Sequence, residues 1–181
     1  VVVERDESPF KVDPSKIPNL RPAFVKDGTV TAATSSSISD GAAALVLMRQ
    51  SEARKRGLSP LATLVAHATF SREPEWFTLA PVGAIEKVLA KAGWQTASVD
   101  LYEINEAFAV VTMAAMKEHD LPHDKVNIHG GAVALGHPIG ASGARVLVTL
   151  LGALKKTGSR RGVASLCIGG GEATAIAVEM A

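Results

Sequence analysis

The sequence predicts a layered α/β fold, a sheet with helices on its faces. Three observations carry this. Short apolar runs alternate with segments of helical period along most of the chain. Glycine-rich segments fall where apolar runs end, and the last two runs are separated only by a glycine turn, which makes them an antiparallel pair. A length of 181 residues with 47% hydrophobic and 20% charged residues suits one compact domain, or a domain plus part of another.

The elements follow in order. Residues 4–22 carry Pro9, Pro14, Pro18 and Pro22 among mixed charges and read as loop. The first residue is Val1 rather than Met, so a processed or truncated chain is expected. The continuous apolar run 42–48 reads as a buried strand, and 51–56 as a short helix closed by Gly57. Residues 61–70 form the next strand. The helix 81–92 has proline at its start and Gly93 just past its end. A strand at 100–104 leads into a helix at 105–119, with Asn105 as the expected N-cap. Residues 126–128 enter the stretch 129–145, HGGAVALGHPIGASGAR, and a helix follows over 142–156 with Ser142 as N-cap. Its residues Ala144, Leu147, Leu150, Leu151 and Leu154 recur at helical spacing. Strands at 163–168 and 175–179, joined by GGGEAT, close the chain.

Several function classes are disfavoured. Nineteen basic against eighteen acidic residues give a net charge of +1, and the basic cluster 54–56 lacks aromatic neighbours that could stack on bases, so nucleic acid is not an expected partner. No apolar run approaches the roughly 20 residues of a membrane span, which predicts a soluble protein without a membrane partner. Cys167 is the only cysteine, so no internal disulfide can form, and a reducing, cytoplasmic setting is expected. Zinc held by His119, His123 and His129 is disfavoured because Pro122 interrupts the helix and no second cysteine exists, so no metal site is expected. The spacings of phosphate and dinucleotide loops are missing, as is the G-x-S-x-G elbow that a Ser142 nucleophile would need.

Three segments could do chemistry. His137 stands between Gly136 and Pro138; the proline restrains the histidine backbone, and the glycines let the chain approach a ligand. An isolated histidine is often structural, but this setting suits site work. Cys167 ends an apolar strand in LCIGGG, either as a small core hydrophobe or as a thiol exchanging a proton with a ligand held on the following N–H groups. In NEAFA, residues 105–109, Asn105 could cap a helix, fix a water, or donate to an oxygen that gains charge. All three lie at strand C-terminal ends, where layered α/β folds gather their sites.

NEAFA, GHPIGASGAR and CIGGG, in this order, together with GTVTA and ISDGAAALVLM upstream, closely resemble the C-terminal part of the thiolases, in particular the acetyl-CoA acetyltransferase group. The resemblance runs from Leu20 onward. It implies a layered α/β/α fold whose βαβαβαββ C-terminal half, with a mixed five-stranded sheet, occupies 58–181, while 1–57 hold a loop region and the last strand and helix of the N-terminal half. It also implies Claisen condensation of two acetyl-CoA to acetoacetyl-CoA and the thiolytic reverse, with coenzyme A thioesters as substrates and no further cofactor. By motif, Cys167 resembles the cysteine that removes the α-proton, His137 the activator of an acyl-accepting cysteine, Asn105 the anchor of a catalytic water in an oxyanion hole, and Gly169 the glycine whose N–H serves a second oxyanion site.

Ser36, Ala107 and Phe108 correspond to coenzyme A contacts, although the flanks of Ser36 read TSSS in place of the family's NASG. Phe77 stands where a methionine is common at the acyl pocket, Pro9 where an arginine is common near the adenine end, and Glu172 where an apolar residue is frequent, which is expected to point to solvent. The family's acyl-accepting cysteine lies in the N-terminal half, so this chain alone is expected to be inactive and to need that half on the same or a separate chain, within a homo-oligomer. A longer-chain 3-ketoacyl-CoA thiolase and a non-catalytic CoA-binding module remain the alternatives.

Overall fold

The computed structural model describes residues 2–181, apart from the side chains of Pro9 and Lys11; Val1 and the Pro9 ring therefore lie outside the described residues. The helices are α1 (Ser8–Lys11), α2 (Gln50–Lys55), α3 (Ala80–Ala92), α4 (Ala109–His119), α5 (Ala132–Leu135) and α6 (Ser142–Thr157). The strands are β1 (Ala62–Ser71), β2 (Leu101–Ile104), β3 (Arg161–Ile168) and β4 (Glu172–Met180). They form one mixed sheet in the order β1-β4-β3-β2; β2 runs parallel to β3, and the other two pairings are antiparallel.

Strand parity divides the core into two layers, because successive side chains point to opposite faces. Val163 and Cys167 of β3, with Ala173, Ala175 and Ala177 of β4, pack with Ile85 and Val88 of α3 and Val111 of α4. Ala164 and Val178 pack on the other face against Val146, Leu150 and Leu154 of α6. Leu150 and Leu154 are fully buried, each contributing on the order of 1.5–3 kcal/mol by leaving water. α3 ends where the sequence predicts, with Gly93 in a left-handed conformation just past it, and Gly158 takes the same conformation after α6.

Three expectations are corrected. The described residues hold a four-stranded sheet, because 126–128 contribute only a single parallel bridge from Val126 to Tyr102. Residues 42–48 form no strand; no sheet edge among the described residues pairs with them, and Val46 and Leu47 are exposed. The helix expected from 105 begins at Ala109, since 105–108 are drawn into the sheet edge and the loops beside it.

Candidate active site

Two loops and a strap meet beyond the C-terminal ends of β2 and β3. The parallel ladder runs one residue past β2: the Asn105 N–H donates to the Ser165 carbonyl at 2.9 Å. Parity then places Glu103 and Asn105 on the α6 face. Asn105 is not a helix cap, since Phe108 holds the N-cap position of α4 and makes no side-chain cap bond. Its amide is instead 1% exposed and engaged on both sides. Arg145 of α6 donates from Nη2 to Asn105 Oδ1 at 3.1 Å, and Asn105 Nδ2 faces His137 Nε2 at 3.4 Å. Because a guanidinium only donates, it fixes which end of the amide is which and turns the NH2 toward the imidazole. The next residue, Glu106, accepts from Asn127 Nδ2 at 2.8 Å and from the Val133 N–H at 3.2 Å, tying this loop to α5 and the histidine loop.

His137 is equally constrained. Gly136 has φ +95°, and a side chain there would run into the Ser39 hydroxyl, so glycine is required both for conformation and for space. The His137 N–H donates to the Ser37 carbonyl at 2.8 Å, within a bridge between Ile38 and His137. The same strap pairs Ser35 with Phe108, and Ser36 donates its N–H and hydroxyl to the Ala107 carbonyl at 3.1 and 3.0 Å. Residues 35–39 thus clip together the loops that carry Asn105 and His137. Ser142 does not cap α6: Ala141 takes that position and Ser142 is the first helical residue, fully buried. Its Oγ lies 2.6 Å from His137 Nδ1 and 3.0 Å from the Pro138 carbonyl. Burial, and then the charge of Arg145, hold the imidazole below its usual pKa, which keeps it neutral and able to take a proton.

Cys167 comes from the neighbouring strand. It sits two residues past Ser165, so Cys167 and Asn105 leave adjacent parallel strands at the same edge. Its side chain is 8% exposed, opposite Ala173, and burial pushes the thiol up to about 11. Among the described residues Cys167 has no hydrogen bond to His137 or Asn105; it shares their sheet edge but lies on the face covered by α3 and α4. Gly169 is exposed in the turn that follows, with nothing within 4 Å of where a side chain would start. Glu172 is also exposed, as expected. Phe77, in the short 3-10 helix Pro74–Leu79, packs edge-on against Phe108 with ring centroids 6.2 Å apart, and Ala107 beside them is half-buried. Among the described residues no group of three or more His, Cys, Asp and Glu side chains is placed to hold a metal ion.

The sequence reading missed Arg145, Glu103 and the bond made by Ser142. The signal was present: a lone carboxylate inside the apolar strand LYEI, and a lone arginine in the first turn of an apolar helix. Arg145 Nη1 lies 3.4 Å from Glu103 Oε1, whose side chain is 3% exposed. Burial raises the Glu103 carboxyl to about 7 against the pull of Arg145, with Glu106 adding to the rise. A folded-state pKa above the unfolded value of 4.5 means that the native state holds this proton more tightly. The associated stability is complete below about 4.5 and is lost as pH climbs through about 7. Its size is at most about 3 kcal/mol. Urea titrations should therefore show a stability decline across this window, and Glu103→Gln should flatten it. An equally steep decline in the variant would contradict the assignment.

Comparison with known proteins adds the following. Residues 58–180 match the family model for the thiolase C-terminal domain, and residues 1–51 that for the thiolase N-terminal domain. Acetyl-CoA acetyltransferase 2 of Arabidopsis thaliana is 51% identical over 180 residues, which are 99% of this chain and 45% of the relative. The cytosolic acetyl-CoA acetyltransferase of Mus musculus is 54% identical over 162 residues, 88% of this chain and 41% of the relative. The crystal structure of Acat5 thiolase from Ascaris suum in complex with coenzyme A superposes with a TM-score of 0.92 at 47% identity, covering 99% of this chain and 47% of that one. The chain thus spans less than half the length of the curated relatives it matches.

Proposed function

Since the chain belongs to the thiolase family, we propose that the protein it forms part of is an acetyl-CoA acetyltransferase, condensing two acetyl-CoA to acetoacetyl-CoA and running the thiolytic reverse. The observation that carries this reading is the Asn105–His137 contact at 3.4 Å, held from outside by Arg145 and Ser142, at the sheet edge where Cys167 ends its strand. An α-proton of a thioester is weakly acidic. Removing it requires a strong base and fixed donors for the charge that moves to the thioester oxygen. In this reading Cys167 is the base, and its high pKa suits a reluctant carbon acid. Asn105, through a water, and His137 meet one oxyanion, and the Gly169 N–H the other.

His137 also takes the proton of an acyl-accepting thiol. That thiol cannot be Cys167, which is the only cysteine of this chain, so it belongs to a segment outside it, on the same or a separate polypeptide. Acyl transfer then proceeds in two steps through an acyl-enzyme. Coenzyme A is the shared group of both substrates, held along Ser36, Ala107 and Phe108, with Phe77 bounding the acyl end. No other cofactor takes part. The exposed apolar side chains Ile38, Val46, Leu47 and Ile139 are surface for the N-terminal half and for further copies in a homo-oligomer. A cytosolic location is part of the same proposal, supported by the mouse relative. The complete protein should cleave acetoacetyl-CoA with free CoA faster than longer 3-ketoacyl-CoA. A preference for longer chains, or CoA binding without turnover, would overturn the reading.

A further inference from the structure

We infer that Ser142 is a positioning residue that fixes the tautomer of His137, placing the imidazole proton on Nδ1 and leaving Nε2 free to accept one. The inference rests on the proposed role of His137 as a proton acceptor and extends it to a residue that touches no substrate. The bonding on both sides of the ring supports it. On the Nδ1 side, Ser142 Oγ is 2.6 Å away, and Ser142 is fully buried. The hydroxyl has one proton, and the Pro138 carbonyl, 3.0 Å from Oγ, can only accept it. With that proton directed to the carbonyl, Oγ presents lone pairs to the ring, and Nδ1 must be the donor.

The Nε2 side gives the same answer independently. Arg145 offers donors only and binds Asn105 Oδ1 at 3.1 Å, so the Asn105 NH2 is the end facing Nε2 at 3.4 Å. An N–H on Nε2 would oppose it donor to donor, whereas a bare Nε2 accepts. The Pro138 carbonyl also receives the N–H groups of Ala141 and Ser142, at 2.8 and 2.9 Å, which fixes its position beside the Ser142 hydroxyl in the first turn of α6. The sequence H-P-x-x-x-S therefore builds its own orienting relay: proline supplies the carbonyl, and the helix start supplies the hydroxyl. Once Nε2 has taken the proton of a thiol, the ring is a cation whose Nε2–H and the neighbouring Asn105 NH2 are both donors, so both donate to an oxyanion set between them, while Nδ1–H remains bound to Ser142. The ring need not turn between the two tasks.

The test uses the complete protein labelled with 15N-histidine, with the His137 signals assigned by their loss in His137→Gln. Long-range proton–nitrogen correlation should show neutral His137 with the proton on Nδ1; a proton on Nε2 would overturn the inference, and this measurement needs no variant at Ser142. In Ser142→Ala, which loses the acceptor at Nδ1 while the Asn105 NH2 still faces Nε2, part of the neutral ring should shift to the Nε2–H form, and kcat for acetoacetyl-CoA thiolysis should fall roughly tenfold to a hundredfold, as when the outer hydrogen-bond partner of a working imidazole is removed. KM should stay within about twofold, because no substrate contact is lost. An unchanged tautomer and an unchanged kcat would contradict the role of Ser142. If instead the tautomer is as stated and His137→Asn turns over normally, the proton-acceptor reading of His137 fails while the placement by Ser142 stands.

Discussion

Replacing Cys167 with alanine in the complete protein is expected to lower both thiolysis and condensation by about 10²–10⁴, the usual contribution of a positioned acid or base. Folding should survive. Cys167 is a small buried side chain facing alanines on β4, so its loss removes one sulfur from the core and costs on the order of 1 kcal/mol. The two directions should fall together, because the group that takes the α-proton in condensation returns it in thiolysis. Burial, which drives the thiol up to about 11, cuts both ways in this role. It makes the thiolate rare at neutral pH, but it also makes it basic enough to move a proton from carbon. Urea midpoints measured beside the rates separate a catalytic loss from a structural one.

Asn105→Ala is the second large effect. Removing a fixed donor from an oxyanion site costs about 10²–10³ in kcat. In the proposed role Asn105 serves the charge that develops rather than the bound ground state, so KM should change little. The variant should also lose about 1–3 kcal/mol of stability, because the half-buried Arg145 loses its amide acceptor. Steady-state kinetics with acetoacetyl-CoA and CoA check the first part, and urea unfolding the second. A rise in KM at constant kcat would mean that Asn105 binds substrate uniformly and is no oxyanion donor.

Local signals explain what could be read from the chain alone. The order of strands and helices follows hydrophobic period, and α3 ends at Gly93 as its sequence predicts. His137 stood out because its own neighbours, glycine and proline, determine its backbone. The misreadings each turn on contacts that the local pattern does not encode. Residues 42–48 look like a strand by composition, but a strand needs an edge to pair with, and they pair with none among the described residues. The fifth strand that the resemblance implies is missing among the described residues, where Val126 makes only one bridge to Tyr102. Asn105 and Ser142 both looked like helix caps because cap residues and site residues draw on the same side-chain chemistry. What separates them is Arg145 and His137, 40 and 5 residues away. The Glu103–Arg145 pair spans 42 residues, and no periodicity foretells it.

In the proposed reaction Cys167 moves the α-proton of an acetyl thioester, with His137 and Asn105 completing the site. Deuterium incorporation into the acetyl methyl of acetyl-CoA, followed by proton NMR in D2O with the complete protein, tests this step without requiring net product. The wild type should exchange these hydrogens well above the rate in buffer, and Cys167→Ala should lose that excess. Exchange at the wild-type rate in Cys167→Ala would contradict the account, because another group would then be removing the proton.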